Sequence, residues 1–258
     1  MDSPLPEAPQ RTDHPGRDAP RRFLIIGLPR SGTTYLMTLL NAHPAIHCSG
    51  EQFNPYGIVG VRDRDDDPRH LLDRDRSPLI HMERFFAQAA GPGILRVGFK
   101  YMLGQNVRIL KRLADHPEID LIHVWRENRL AQVSSLIKAE TSLRWAQTRP
   151  DAHIHERIDV GPRRICQRWH EIASMDALFA HWLESLPNRR LRIEYRELFA
   201  PGFAERITGF LGVGPDPQMK SPLVKQNPND ILARFRHPEP IARYFREIGF
   251  GHWLEPEI

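Results

Sequence analysis

Between Phe23 and Leu28 the chain carries a short unbroken apolar run. It then passes through Gly27-Leu28-Pro29-Arg30-Ser31-Gly32-Thr33-Thr34 into a stretch, Thr33 to Ala42, whose apolar residues fall at helical spacing. A run that is apolar at every position reads as a strand buried on both faces, which belongs inside a parallel sheet. The two glycines have the spacing of a phosphate loop and stand between strand and helix, as that motif requires. Further strand-like runs lie at Ile94 to Lys100, Ile119 to Trp125 and Arg190 to Glu194. Helical patterns fill 79–90, 103–115, 128–142, 163–186, 203–211 and 240–248. Alternation of this kind predicts an α/β fold, a three-layer sandwich with a central parallel sheet and a P-loop-like turn. Ligands of such sheets bind beyond the carboxyl ends of the strands, so functional side chains are expected just after a strand.

Residues 1–20 combine repeated Pro with Asp, Arg and Gly, and are expected to be a disordered leader to a single domain over 21–258. Arg62 to Pro78 interleaves Arg and Asp with two prolines and reads as a mobile loop. The two cysteines, Cys48 and Cys166, lie far apart and indicate neither a disulfide framework nor a zinc site. His153 and His155 have no third ligand at metal-site spacing, so no metal is expected. No apolar run approaches the roughly 20 residues of a membrane span, and the first residues are polar, which predicts a cytoplasmic protein. The formal charge of +4 comes with interleaved Arg and Asp and no long basic run. The expected partner is therefore a small anionic molecule, not nucleic acid.

Glycines let the loop backbone turn tightly, so its N–H groups and the helix N-terminus converge on an anion, with hydroxyls from Ser31, Thr33 and Thr34 as further donors. An ATP or GTP site would have Lys where Thr33 stands, and usually an Asp ending a neighbouring strand to hold magnesium. Here Arg30 brings a permanent bidentate cation into the loop, and the strand Ile119 to Trp125 runs into Arg126. Asn128 can cap the helix that carries Ser134 about two turns in, with Ser135 as the alternative.

Pro29-Arg30-Ser31-Gly32-Thr33-Thr34, together with Arg126 and Ser134 eight positions on, resembles the two signatures of the PAPS-dependent sulfotransferases. These enzymes use 3'-phosphoadenosine 5'-phosphosulfate (PAPS) as donor. Asn41-Ala42-His43-Pro44 to Gly50-Glu51 is similar to the bacterial carbohydrate and lipid branch. The resemblance implies transfer of a sulfuryl group from PAPS to a hydroxyl of a carbohydrate, glycolipid or small metabolite. It implies that Arg30, Ser31, Gly32, Thr33 and Thr34 bind the phosphosulfate and that Arg126 and Ser134 grip the 3'-phosphate. Lys100 would meet the transferring group. Where the phenol and steroid enzymes carry a catalytic His this chain has Met102. Resemblance to the bacterial carbohydrate branch, which places a carboxylate base just beyond the phosphate-loop helix, implies Glu51, expected in a loop there, as candidate base, with His43 and His47 as alternatives. Tyr35 would stack on adenine or pack in the core, and Lys225 is the nearest basic residue to the missing C-terminal clamp. The dimerisation signature of some relatives is absent, and assembly stays open. The rival readings are a P-loop nucleotide kinase and a non-catalytic nucleotide-binding module.

Overall fold

The computed structural model describes residues 19–258 apart from 147, 150 and 151. The leader expected over 1–20 lies outside the described residues except for Ala19 and Pro20, and the His153 side chain lies outside them too. Five strands, β1 (Arg21–Gly27), β2 (Ile46–Glu51), β5 (Arg96–Met102), β6 (Ile119–Trp125) and β7 (Arg190–Glu194), form one sheet in the order β2-β5-β1-β6-β7, all parallel. β1 sits in the middle because its apolar run has two faces to bury, and Phe23, Leu24, Ile25 and Ile26 are fully buried. Ile25 and its neighbours pack under α1 (Thr33–Leu40) and α7 (Phe203–Leu211). Leu24 and Ile26 pack against α3 (Pro78–Gln88), α4 (Val107–Arg112) and the C-terminal half of α6 (Pro162–Glu184). These are the three expected layers.

A further cluster, from α5 (Arg129–Ser142), the first half of α6, α8 (Pro238–Glu247) and Trp253, closes over Leu28 beyond the strand ends. The chain winds through β2 and β5 on one flank of β1 before crossing to β6 and β7. The winding therefore reverses at β1, where open α/β sheets form their ligand crevice.

Two stretches depart from expectation. Arg62 to Pro78 is no continuous loop. It holds β4 (Arg64–Asp65), paired antiparallel with β3 (Ile58–Val59), and α2 (Pro68–Arg76), whose N-cap Asp67 accepts from Arg69 N. The helix was invisible to an apolar count because Arg74 is its one buried residue. Glu51 ends the edge strand β2 and does not stand in a loop. An edge strand needs few apolar side chains, and Ile46 and Cys48 supply them here.

Candidate active site

All five strands of the main sheet deliver a polar side chain to their carboxyl ends. Arg30 follows β1, Arg126 follows β6 and Tyr195 follows β7, while Lys100 and Glu51 lie near the ends of β5 and β2. The β1–α1 loop is shaped by Gly32, which has φ +101° and is the N-cap of α1; an added Cβ there would lie 2.6 Å from Leu198 Cδ1 and 2.9 Å from Tyr195 Cδ2. No side chain caps α1, so the positive end of its dipole and its first N–H groups stand at the cavity. Thr33, Thr34 and Tyr35 line that cavity with Arg30, Arg126, Lys225 and Arg234. Tyr35 is half-buried with its ring 4.8 Å from Phe199, which also lines the cavity.

Arg30 donates to Ser135 Oγ at 2.8 Å, to the Trp145 carbonyl at 2.6 Å and to the Gln226 side chain. Burial, with Arg126 nearby, lowers its pKa to about 10. Arg126 is buried, lies 4.1 Å over the Tyr195 ring, donates to the Arg30 carbonyl at 3.0 Å and forms a bidentate pair with Glu257. Burial opposes its charge, yet Glu257 and Tyr195 hold its pKa above the ordinary value. Arg234 is pushed down to about 10 and Lys225 to about 8, each by burial first and then by neighbouring cations. Three buried polar atoms here have no hydrogen-bond partner, Ser31 Oγ, Gln226 Nε2 and Asn227 Oδ1. Such orphans are uncommon in folded proteins, and those of Gln226 and Asn227 belong to residues that line the cavity.

Ser134 does not line the cavity. Its hydroxyl donates to the Ala131 carbonyl at 3.1 Å and accepts from Arg234 at 3.2 Å, whereas Ser135, one residue and 100° further round α5, faces Arg30 and accepts from Asn227. Ser134 therefore meets the site through Arg234.

Beyond Thr34 the site changes character. Lys100 Nζ lies 2.8 Å from Thr34 Oγ1 and 2.8 Å from Glu51 Oε1. The β2 register shifts between Ser49 and Glu51, which makes Gly50 the extra residue and sets Glu51 opposite Lys100. A one-residue shift flips side chains to the other face, so the bulge aims Glu51 at the α1 side. Gly50 must be small there, since a Cβ would stand 2.8 Å from the backbone of Val59 and Gly60. Asn54 and Gln105 each donate to Glu51 Oε2 at 2.7 Å. Burial raises the Glu51 pKa, but Lys100, Asn54 and Gln105 outweigh it, and the net shift is downward. Arg74 of α2 donates to the Gln52 and Asn54 carbonyls and so braces the turn that carries Asn54.

The histidine alternatives fare differently. His43 Nδ1 accepts from Ala45 N at 3.0 Å, so Nε2 carries the proton given to the Gly214 carbonyl at 2.8 Å, and both ring nitrogens are engaged. His47 lies 6.1 Å from the Phe85 ring, on the face of β2 away from Cys48 and α1. Met102 packs beneath the phosphate loop, where Thr33 Oγ1 approaches its sulfur at 3.6 Å.

Tyr195, Arg234, Gln226 and Glu257 were missed in the sequence. Tyr195 could have been found, because it directly follows a strand. Gln226 and Glu257 come from irregular segments and Arg234 from the short 3-10 helix Leu232–Arg234, and none of the three carries a periodic signal. Among the described residues there is no cluster of His, Cys, Asp or Glu that could hold a metal ion, and no helix is long and apolar enough to cross a membrane.

The sulfotransferase family matches residues 22–217 of this chain, and the chain belongs to that family. Nodulation protein H of Rhizobium meliloti strain 1021 is 26% identical over 183 residues, 69% of this chain and 71% of that protein. Nodulation protein H of Rhizobium tropici is 26% identical over 244 residues, covering 92% of this chain and 94% of the relative. Among solved structures, the sulfotransferase domain from the curacin biosynthetic pathway aligns at 17% identity with a TM-score of 0.48, covering 81% of this chain and 80% of that one.

Proposed function

We propose that this sulfotransferase takes its sulfuryl group from PAPS and passes it to a hydroxyl of a carbohydrate, glycolipid or small metabolite. The observation that carries the reading is the concentration of Arg30, Arg126, Arg234 and Lys225 around one cavity with orphaned polar atoms. That lining fits a polyanionic nucleotide, which supplies the sulfuryl group when bound.

In this reading Arg126, Arg234 and Lys225 hold the 3'-phosphate, and Ser134 keeps Arg234 in place. Ser31, Gly32, Thr33 and Thr34 offer backbone N–H groups and hydroxyls to the 5' side, and Tyr35 offers a ring to the base. Arg30 steadies the charge that grows on the bridging oxygen as the sulfur–oxygen bond breaks. Lys100, already bonded to Thr34, meets the equatorial oxygens of the transferring group. Glu51 accepts the proton of the acceptor hydroxyl as its oxygen bonds to sulfur. A carboxylate with lowered pKa is ionised at neutral pH, which that role needs.

The test is turnover of sulfur-labelled PAPS against sugars, glycolipids and phenolic metabolites, with EDTA present. Label moving to an acceptor with release of adenosine 3',5'-diphosphate supports the reading. Transfer from labelled ATP that requires magnesium would replace it with the kinase reading, and binding without any transfer with the binding-module reading.

A further inference from the structure

Glu257 is the one carboxylate, among the described residues, in ion-pair contact with the cations of the donor cavity. Both of its oxygens are engaged by the Arg126 guanidinium, and its side chain is fully buried. The planar fork of Arg is the geometry that recognises phosphate as readily as carboxylate. The guanidinium also lies over the Tyr195 ring and donates from Nη1 to the Arg30 carbonyl. The carboxylate thus occupies the edge of Arg126 that a phosphate would use.

The placement is built into the fold. Three successive residues after β6 hold the segment that carries Glu257. Arg126 takes Glu257 itself, Glu127 accepts from Trp253 Nε1 at 2.6 Å, and Asn128 donates to the Trp253 carbonyl at 3.0 Å. Trp253 is buried against Trp169, Phe245 and Phe250, whereas residues 255–258 form neither helix nor strand. An anchored turn followed by an irregular segment can release Glu257 without disturbing the core. With the segment seated, Ile258 lines the cavity and the open volume is about 150 Å³. Small-molecule pockets commonly run from about 300 to 1,000 Å³. The seated segment thus narrows the cavity that a nucleotide would enter.

We infer that Glu257 is a donor-selecting residue, whose carboxylate fills the 3'-phosphate subsite at Arg126 and yields it only to a ligand that brings a phosphate there. The inference rests on the donor-site reading above. A 3'-phosphate dianion replaces the monoanionic carboxylate among Arg126, Arg234 and Lys225 and offsets the pair it breaks. A nucleotide without that phosphate leaves Arg126 buried and unpaired if it displaces Glu257, so it gains nothing by doing so.

Glu257→Gln keeps the shape and removes the charge. When only a fraction of molecules is open, apparent affinity falls by that fraction, so removing the competitor raises it. Calorimetry should show adenosine 3',5'-diphosphate binding the variant about ten- to hundredfold more tightly than the unmodified protein. ADP, which engages the phosphate loop alone, should change by less than about twofold. In the unmodified protein, hydrogen exchange of the Glu255, Glu257 and Ile258 amides should speed up with adenosine 3',5'-diphosphate and stay unchanged with ADP. Equal or weaker binding of the 3',5'-diphosphate to Glu257→Gln would overturn the inference, as would slower exchange at those amides. The donor-site reading would survive either result. Failure of the 3',5'-diphosphate to bind both proteins would overturn that reading and the inference with it.

Discussion

On the β1–β6 side of the crevice four cations, Arg30, Arg126, Lys225 and Arg234, meet one carboxylate, Glu257. On the β2–β5 side Lys100 pairs with Glu51 Oε1 and the amides of Asn54 and Gln105 donate to Oε2, which leaves one acceptor position of Oε1 open. The cation-rich end is short of anions, and burial first, then the neighbouring cations, lowers the pKa of Arg30, Arg234 and Lys225. The paired end is balanced in charge, and the Glu51 pKa is held down by its partners against burial. In the proposed reading the first end binds an anionic donor, while the second holds a proton acceptor in its charged form.

Substitutions should separate into turnover, at Glu51 and Arg30, and affinity, at Arg126. Glu51→Gln is expected to lower kcat by about 10² to 10⁴, with nucleotide affinity unchanged. A fall in affinity of the same size would move Glu51 into the donor site and erase the division between the ends. Arg30→Ala should lower kcat by about 10² to 10³, as loss of a donor at a developing oxyanion does. Arg126→Ala should act chiefly on affinity, weakening adenosine 3',5'-diphosphate binding by roughly ten- to hundredfold, since its contact is made in ground and transition states alike. Loss of kcat with affinity intact would exchange the roles of the two arginines.

The smallest expected effect is on pH dependence. Glu51 titrates below its ordinary 4.5, so kcat should hold as pH falls to that value and drop only below it. The pair's contribution to folding stability has the same sign, present above the ordinary carboxylate value and lost as pH falls through the lowered one. Lys100→Met removes the cation and leaves the burial, which should move the acid limb of the kcat profile upward. A limb that stays in place would show that Lys100 does not set the charge of Glu51.

The two ends also differed in how far they could be read from the chain. The phosphate loop and Arg126 were legible because each is fixed by local context, an apolar strand followed by a turn. Glu51 was found by resemblance but assigned to a loop, since Ile46–Glu51 is an edge strand with one apolar face and a bulge at Gly50. The serine on α5 turned on a single helical step. Ser134 and Ser135 are adjacent in sequence but point 100° apart, and only packing against Arg234 and Arg30 distinguishes them. Arg234, in the short 3-10 helix Leu232–Arg234, reaches the cavity and Glu257 reaches Arg126 only through the return of the C-terminal part of the chain, a tertiary event that leaves no trace in periodicity.

The central claim is that the crevice beyond β1 and β6 recognises a nucleotide through its 3'-phosphate. Paired titrations of the unmodified protein with adenosine 3',5'-diphosphate and with ADP, at one salt concentration, test it most directly. A site built around Arg126 and Arg234 should favour the 3',5'-diphosphate by about tenfold or more, because a hydrogen bond to a charged group contributes about 1.5–3 kcal/mol and ADP brings no phosphate there. Equal dissociation constants for the two nucleotides would contradict it.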